Sequence, residues 1–382
     1  MNNKDNLYYQ IIDTEPGLED FTRTLQTEKA VAVDLEADSM YHFREKVCLV
    51  QLATEKTNVI IDSLQVSDLS PLESFFLRHD IKKVFHGADY DVRSLNRDFN
   101  IEINNLFDTQ IACRFLGIRE TGLEAVIRNW FNVILDKKFQ RKDWSKRPLP
   151  EDMMEYAAKD VIYLVPLAKI LEKELEKKGR LSWVYEECEY LSRVRYSLSD
   201  KDPLYLRFKG AGRLSRRELA VLETLLQFRK SIAEKRDKPP FKIIGNDSIM
   251  KIVKSRPASL RGLEKIKALS PKQIRLYGPD IVDAVKKGLK IPEKELPVYP
   301  RKKAPKISPP VPRRIKALKR WRDATAEVLE IDPYVLFNNS LINAIAVQNP
   351  HDANDLAIVK DMKNWQQTAF GADIVRVIKK AK

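Results

Sequence analysis

The stretch that decides the fold of the first half of the chain is Ala30-Val-Ala-Val-Asp-Leu-Glu36. If it forms a strand, its side chains point alternately to opposite faces. Asp34 and Glu36 then share one face, and the large apolar residues Val31, Val33 and Leu35 share the other. Two carboxylates on one face repel each other and resist removal from water unless a cation or water lies beside them. Mg²⁺ and Mn²⁺ prefer carboxylate oxygens, so the stretch predicts a divalent-metal site. The alternative, an exposed strand end that binds nothing, is commoner for an isolated Asp-x-Glu.

The segments around this strand predict an α/β domain with a mixed sheet. The first three strand-like segments are joined by gaps too short for a crossover helix, so they should pair as antiparallel hairpins. Units of strand and helix follow, and helices then dominate to about residue 197. In chain order we expect strands at 30–36, 46–53 and 57–62, a helix near 68–78, a strand at 82–86 and a helix from about 88.

A second acidic position follows the strand at 82–86. In His86-Gly-Ala-Asp89-Tyr-Asp91, the strand ends, the glycine makes a turn and a helix begins. Asp91 lies one turn before Leu95 on the face expected to point inward, where an acid needs a partner. Asp89 is the competing candidate, but a first-turn or capping role suits it. A lone histidine at a strand end, such as His86, is usually structural.

A third acidic position lies on a later helix, in Glu155-Tyr-Ala-Ala-Lys-Asp160. Tyr156 and Asp160 are four residues apart and therefore share one helical face. By itself this spacing is a weak signal, because Tyr156 could equally be a core aromatic with a wet hydroxyl group.

Taken together, these positions form an ordered set that resembles the DEDD exonuclease superfamily, in its tyrosine-bearing subgroup. Asp34 and Glu36 match its first motif, Asp91 its second, and Tyr156 with Asp160 its third. The resemblance covers about residues 10–195 and is strongest to the ribonuclease D family. It is carried further by the stretches 34–41 (DLEADSMY), 44–51 (REKVCLVQ), 107–110 (FDTQ) and 143–149 (DWSKRPL).

The resemblance implies a ribonuclease H-like fold and phosphodiester hydrolysis with two divalent metal ions, Mg²⁺ or Mn²⁺. The four acids Asp34, Glu36, Asp91 and Asp160 would hold the metals, and Tyr156 would orient or deprotonate the attacking water. The substrate would be the 3′ end of RNA, with tRNA precursors and other structured RNAs as the class, and the product a nucleoside 5′-monophosphate.

Four further residues are candidate contacts to the terminal nucleotides. Tyr41, Arg44, Lys46 and Trp144 could stack on bases or pair with phosphates. For Trp144, packing beneath a loop is an equally good interpretation.

The second half of the chain contains an internal repeat with predominantly helical spacing. Six residues recur at a constant offset of 339 − 246 = 93, which indicates two copies of a small helical domain. Both copies resemble the HRDC domain, a nucleic-acid-binding module. The matched pairs are Asn246 and Asn339, Pro257 and Pro350, Gln273 and Gln366, Gly278 and Gly371, Asp280 and Asp373, and Ile281 and Ile374.

We therefore expect an α/β ribonuclease H-like exonuclease domain followed by two all-α HRDC-like domains. The expected boundaries are 1–197 for the exonuclease domain, 210–290 for the first helical copy, 291–312 for a Pro- and Lys-rich linker and 313–382 for the second helical copy.

Composition is consistent with a nucleic-acid-binding protein. The formal net charge is 68 − 54 = +14, which favours a polyanionic partner, although a soluble basic protein is the plain alternative. Basic clusters occur at Arg213, Arg216 and Arg217, at Arg301 to Lys303, and from Arg313 to Arg322. No run approaches the ~18 apolar residues of a membrane span, and the first residues lack the layout of a signal peptide. Three widely separated cysteines suit a reducing cytosol, so we expect a cytoplasmic protein, and we expect it to be monomeric.

Three hypotheses remain open at this point. The leading one is a 3′→5′ exoribonuclease. A DNA-directed 3′→5′ exonuclease would use the same carboxylates, and a non-catalytic RNA-binding scaffold would keep the fold without the chemistry. The presence of all five expected catalytic residues argues against the scaffold.

Overall fold

The computed structural model describes residues 8–196, 202–300 and 309–381. These residues divide into two compact units. The first unit contains residues 8–37, 47–196 and 309–381, and the second contains 38–46 and 202–300. Part of the predicted linker, including the basic cluster at 301–303, lies outside the described residues. Among the helices described, none has both the length and the apolar character that a bilayer span requires.

The first unit is built on a six-stranded mixed sheet in the order β1-β4-β3-β2-β5-β6. The predicted hairpins are confirmed, because β2 pairs antiparallel with β3 and β3 antiparallel with β4. The other three pairs of neighbouring strands, β1–β4, β2–β5 and β5–β6, are parallel. Sequence analysis did not predict the two short edge strands. The strands are β1 Gln10–Ile12, β2 Ala30–Ala37, β3 Val47–Ala53, β4 Asn58–Asp62, β5 Lys82–Phe85 and β6 Leu106–Asp108.

Helices pack on this sheet and bury its central strands. All seven residues of β3 and all five of β4 are buried, as expected of strands that are covered on both faces. The helix expected near 68–78 is a short 3₁₀ turn followed by one helical segment. The helices are α1 Glu15–Leu25, α2 Glu73–Leu77, α3 Asp89–Phe99, α4 Thr109–Phe115, α5 Leu123–Phe131, α6 Glu151–Ile162, α7 Leu164–Lys177 and α8 Leu181–Ser192.

The second unit is helical and contains the first copy of the repeat. Its longest helices begin with capping boxes, in which Ser215 and Ser270 accept a backbone N–H from the third helical residue. The loop 38–46, which follows β2, belongs to this unit. The helices are α9 Arg216–Lys235, α10 Pro240–Ile243, α11 Asn246–Ser255, α12 Leu260–Lys265 and α13 Pro271–Lys290.

The second copy of the repeat belongs to the first unit. Its helix α17 is anchored to α8, because the Glu186 carboxylate accepts the backbone N–H groups of Asn364 (2.7 Å) and Trp365 (2.8 Å). The Trp365 ring also stacks on Trp183, with 4.8 Å between centroids. The second copy is thus joined to the α/β part by a packed interface. Its helices are α14 Pro310–Leu329, α15 Pro333–Leu336, α16 Asn339–Gln348 and α17 Asn364–Lys380.

The repeated residues have the same structural role in both copies. Arg229 donates to the Ile244 carbonyl oxygen and to Asn246, and Arg322 donates to the Phe337 carbonyl oxygen and to Asn339. The side-chain amides of the repeated glutamines also make equivalent bonds: Gln273 donates to the Ile243 carbonyl oxygen, and Gln366 donates to the Leu336 carbonyl oxygen. The constant offset of 93 therefore reflects side-chain hydrogen bonds that link the helices of each copy.

Candidate active site

Three carboxylates that are remote in sequence meet at one point of the first unit. Asp34 and Glu36 lie on β2, and Asp160 lies on α6, which packs against that strand. Carboxylate oxygens of the three residues all lie within 4.8 Å of one another. A shift in the β2–β3 register immediately after Glu36 ends the regular pairing of β2 at this point.

The fourth acid, Asp91, lies outside the group of three whose oxygens are within 4.8 Å of one another, but it interacts electrostatically with Asp34 and Glu36. It lies in the first turn of α3 and is 7% exposed, whereas Asp89 points outward and pairs with Arg93 at 2.9 Å. The charge of Asp91 raises the pKa of Glu36, and the charge of Asp34 raises the pKa of Asp91. The structure therefore groups three of the four acids selected from the sequence and places Asp91 near enough to interact with them electrostatically.

These four acids are electrostatically costly in the absence of a cation. Burial raises the pKa of Asp34 to about 7. Burial, and then the charges of neighbouring acids, raise the pKa values of Glu36, Asp91 and Asp160 well above their usual range. Within the described residues, none of the four forms an ion pair with a basic side chain. Buried oxygen ligands without a cationic partner fit a site for hard divalent cations.

Tyr156 lies beside Asp160 at this cluster. The two residues share a face of α6, which brings the Tyr156 hydroxyl group under the influence of the Asp160 charge. Burial, and then the negative charges of Asp160 and Glu36, raise the pKa of Tyr156. The phenol therefore remains protonated and available as a hydrogen-bond donor.

Trp144 lies behind the site and does not face the cleft. It is 1% exposed, and its ring centroid lies 6.1 Å from that of Tyr156. Arg147 fixes this segment by donating to the Trp144 carbonyl oxygen (2.7 Å) and to both carboxylate oxygens of Asp62. The expectation that Trp144 stacks on a nucleotide is therefore replaced by the packing interpretation, because the ring has no open face.

The other three candidate RNA contacts lie in the second unit. The Lys242 ammonium lies 4.0 Å from the centre of the Tyr41 ring, and Arg44 pairs with Glu234 at 3.4 Å. The backbone N–H of Lys46 donates to Asp38. In this structure the partners of Tyr41 and Arg44 are residues of the first helical copy.

Asp108 is a positioning residue whose role was not expected from the sequence, although the stretch 107–110 contributed to the family resemblance. Its carboxylate is 1% exposed and accepts four backbone N–H groups, from Gly87 (3.0 Å), Ala88 (2.8 Å), Gln110 (2.7 Å) and Ile111 (3.1 Å). The first two belong to the turn that leads directly into α3. Asp108 thus fixes the point from which Asp91 projects. The available signal was an acid at the end of an apolar segment, but its partners are visible only in three dimensions.

A cleft of about 410 Å³ opens beside the cluster. Asp34, Glu36, Tyr156 and Asp160 line one part of it, and residues of α5 and of the segment 135–140 line another. His86 also lines the cleft, and its Nδ1 lies 2.8 Å from the Thr109 hydroxyl oxygen. The cleft is therefore polar and carries its carboxylates on an accessible wall.

Family models match most of the chain. Residues 9–176 match the model described as 3′-5′ exonuclease, and residues 218–285 and 312–378 match the HRDC domain. The first match spans all four acids and Tyr156, and the other two coincide with the two copies of the repeat.

Individual relatives agree with these matches. Ribonuclease D of Escherichia coli (strain K12) is 30% identical over 290 residues, which cover 76% of this chain and 77% of that protein. Ribonuclease D of Gluconacetobacter diazotrophicus is 28% identical over 365 residues, with coverage of 94% and 90%.

Two solved structures resemble this chain over three quarters of its length or more. The crystal structure of E. coli RNase D, described as an exoribonuclease involved in structured RNA processing, superimposes with a TM-score of 0.73 at 26% identity and covers 98% of this chain and 99% of that one. The catalytic core of RRP6 from Trypanosoma brucei has a TM-score of 0.65 at 30% identity, with coverage of 75% and 81%. The chain therefore belongs to the ribonuclease D family of 3′→5′ exoribonucleases, with a mixed-sheet exonuclease domain followed by helical HRDC domains.

Proposed function

We propose that this protein removes nucleotides one at a time from the 3′ ends of tRNA precursors and other structured RNAs with short single-stranded tails. The observation that carries the proposal is the convergence of carboxylates from β2 and α6, with Asp91 of α3 nearby, all of them buried or half-buried and without a basic partner in the described residues. Such a cluster is suited to binding cations that in turn bind a phosphodiester.

Asp34, Glu36, Asp91 and Asp160 would hold the metal ions, which we propose to be two in number and either Mg²⁺ or Mn²⁺. When bound, such ions neutralise phosphate charge and lower the pKa of a coordinated water. The side chains of the protein would position the attacking water. Tyr156, whose pKa is raised, keeps its proton and would orient the attacking water through its hydroxyl group.

The helical copies would bind the body of the RNA. We keep the boundaries 210–290 and 313–382 for them, with 1–197 as the exonuclease domain and 291–312 as the linker. In the second copy, α14 exposes Arg313, Lys316 and Arg320, which are three and four residues apart and so lie along one face. Cations arranged in this way can contact successive phosphates, and such contacts weaken as salt concentration rises.

We further propose that the protein works as a monomer in the cytoplasm. The three cysteines are free and buried, which suits a reducing compartment. Size-exclusion chromatography with light scattering would test the monomer, and a dimer mass would contradict it.

The decisive experiment follows the shortening of RNA with a 3′ tail, labelled at its 5′ end, on a sequencing gel. We expect a ladder of products that lose one nucleotide at a time in Mg²⁺ or Mn²⁺, and no products in EDTA. Asp34→Asn should abolish the ladder. A matched DNA tail is the second arm, and faster cleavage of DNA than of RNA would overturn the proposed substrate. Binding without any cleavage would indicate a scaffold.

A further inference from the structure

One edge of the cleft continues into a surface that exposes large apolar side chains. Trp130, near the end of α5, is 38% exposed, and Ile134, in the loop that follows, is 80% exposed. Large apolar groups next to a functional cleft mark a surface that another molecule covers. We call these two residues, with the exposed basic residues 138–142 that follow, the tail-binding rim.

The rim and the cleft are built from the same helix and the same following segment. Leu123, the first residue of α5, lines the cleft, and so do the three residues that follow Ile134, which are Leu135, Asp136 and Lys137. Leu123 and Trp130 are seven residues apart, so they lie on the same side of the helix, about 10 Å from each other along its axis. That distance corresponds to about three stacked bases at ~3.4 Å each.

The charge of this segment suits a polyanion. Residues 128–142 contain five basic side chains and one acidic side chain, a balance of 5 − 1 = +4. Three of the five cations are paired with acids outside this segment: Arg128 lies 3.0 Å and Lys137 2.9 Å from Glu124, and Lys138 lies 3.2 Å from Asp152. Lys142 is exposed and forms no ion pair with any residue that the structure describes. A surface that combines an exposed indole with cations is typical of proteins that bind single-stranded nucleic acid.

We propose that the tail-binding rim holds the single-stranded RNA segment immediately upstream of the nucleotide that is being removed. One base stacks on Trp130, Ile134 supports the apolar face of a neighbouring nucleotide, and the basic residues contact the backbone. The inference rests on the proposed function, because it requires that the 3′ end occupies the cleft. It adds a site where substrate length is sensed, a few nucleotides away from the carboxylates.

The test compares steady-state kinetics of the full-length protein on a dinucleotide and on an unstructured decanucleotide. Trp130→Ala should raise KM for the decanucleotide roughly tenfold, in the lower part of the range for base–aromatic stacking, without changing kcat. Both constants for the dinucleotide should stay as in the wild type, since it does not extend to the rim. Trp130→Phe should restore most of the lost affinity, because a phenyl ring still provides a stacking face.

Two further variants keep the test independent of folding. Ile134→Glu changes a side chain that is 80% exposed, so it should leave the fold intact and still raise KM for the decanucleotide through charge repulsion. Val328→Ala, at a side chain 83% exposed in the second copy, is the matched control and should have no effect.

The outcomes separate this inference from the proposed function. If the wild type does not shorten RNA at all, the proposed function fails. If the wild type shortens RNA but Trp130→Ala and Ile134→Glu leave KM for the decanucleotide unchanged, only the rim is refuted. Equal loss on both substrates would also overturn the rim, since it would place the effect in the cleft itself.

Discussion

Replacing Asp34 by asparagine should stabilise the metal-free protein while abolishing its activity. Burial raises the pKa of Asp34 from 3.8 to about 7. At about 1.4 kcal/mol for each pH unit, this difference corresponds to a destabilisation of up to about 4 kcal/mol in the ionised state. Asparagine has nearly the same shape and carries no charge, so Asp34→Asn should recover part of this free energy and relieve repulsion on Glu36 as well.

The sign of the pH dependence follows from the direction of the pKa change. Between the unfolded pKa of 3.8 and the folded pKa of about 7, the folded protein holds more protons at Asp34 than the unfolded chain does. Stability of the metal-free wild type therefore falls as pH rises through this window. The advantage of Asp34→Asn should be small near pH 4, and it should reach its full size above about pH 7.

The assay is urea unfolding in EDTA over this pH range, followed by thermal unfolding with increasing Mn²⁺. The wild type should gain stability with Mn²⁺ as ligand binding to the folded state requires, whereas Asp34→Asn should gain much less. Asp89→Asn is the control, because Asp89 is exposed and paired with Arg93. Two results would refute the reasoning: a metal-free Asp34→Asn protein less stable than the wild type at about pH 8, or equal stabilisation of both by Mn²⁺.

Three further predictions concern side chains that hold the site and the second copy in place. Asp108→Asn should weaken Mn²⁺ binding, measured by calorimetric titration, at least about tenfold. It should also lower the free energy of unfolding by about 2–4 kcal/mol, because an amide nitrogen cannot accept the backbone N–H groups of the turn before α3. Unchanged Mn²⁺ affinity would show that Asp108 does not position Asp91. Tyr156→Phe should lower kcat on an oligonucleotide about 10²-fold and leave Mn²⁺ affinity within about threefold, since only the hydroxyl group is lost; an unchanged kcat would exclude that hydroxyl from the reaction. Glu186→Ala should lower the free energy of unfolding in urea by about 1–2 kcal/mol, because α17 loses the acceptor of two backbone N–H groups. An equal loss for Glu189→Ala on the solvent side of α8 would argue against a specific anchor.

The sequence predicted the chemistry of the site because that chemistry is encoded in local patterns. The alternation along β2 places Asp34 and Glu36 on one face whatever packs against the strand. A spacing of four residues likewise places Tyr156 and Asp160 on one face of α6. The repeat was equally visible, because its matched residues form the same hydrogen bonds within each copy.

Other features were decided only by contacts between distant parts of the chain. The role of Asp108 depends on the turn at Gly87, which lies 21 residues earlier. Trp144 is buried because Arg147 fixes its segment to Asp62, 85 residues away. The two edge strands, of three residues each, are too short to carry a periodic signal.

The second copy of the repeat also shows which features the sequence predicts and which depend on tertiary contacts. Its own sequence predicts an amphipathic helical domain, but not which surface that domain covers. The structure places it against α8, where Glu186 accepts the first N–H groups of α17 and Trp183 stacks on Trp365. The spacing of apolar residues in a segment predicts which of its faces is buried and which is exposed to solvent. Which partner covers a given face depends on the fit of two surfaces that meet only after both have folded, and that fit was decided by the tertiary structure.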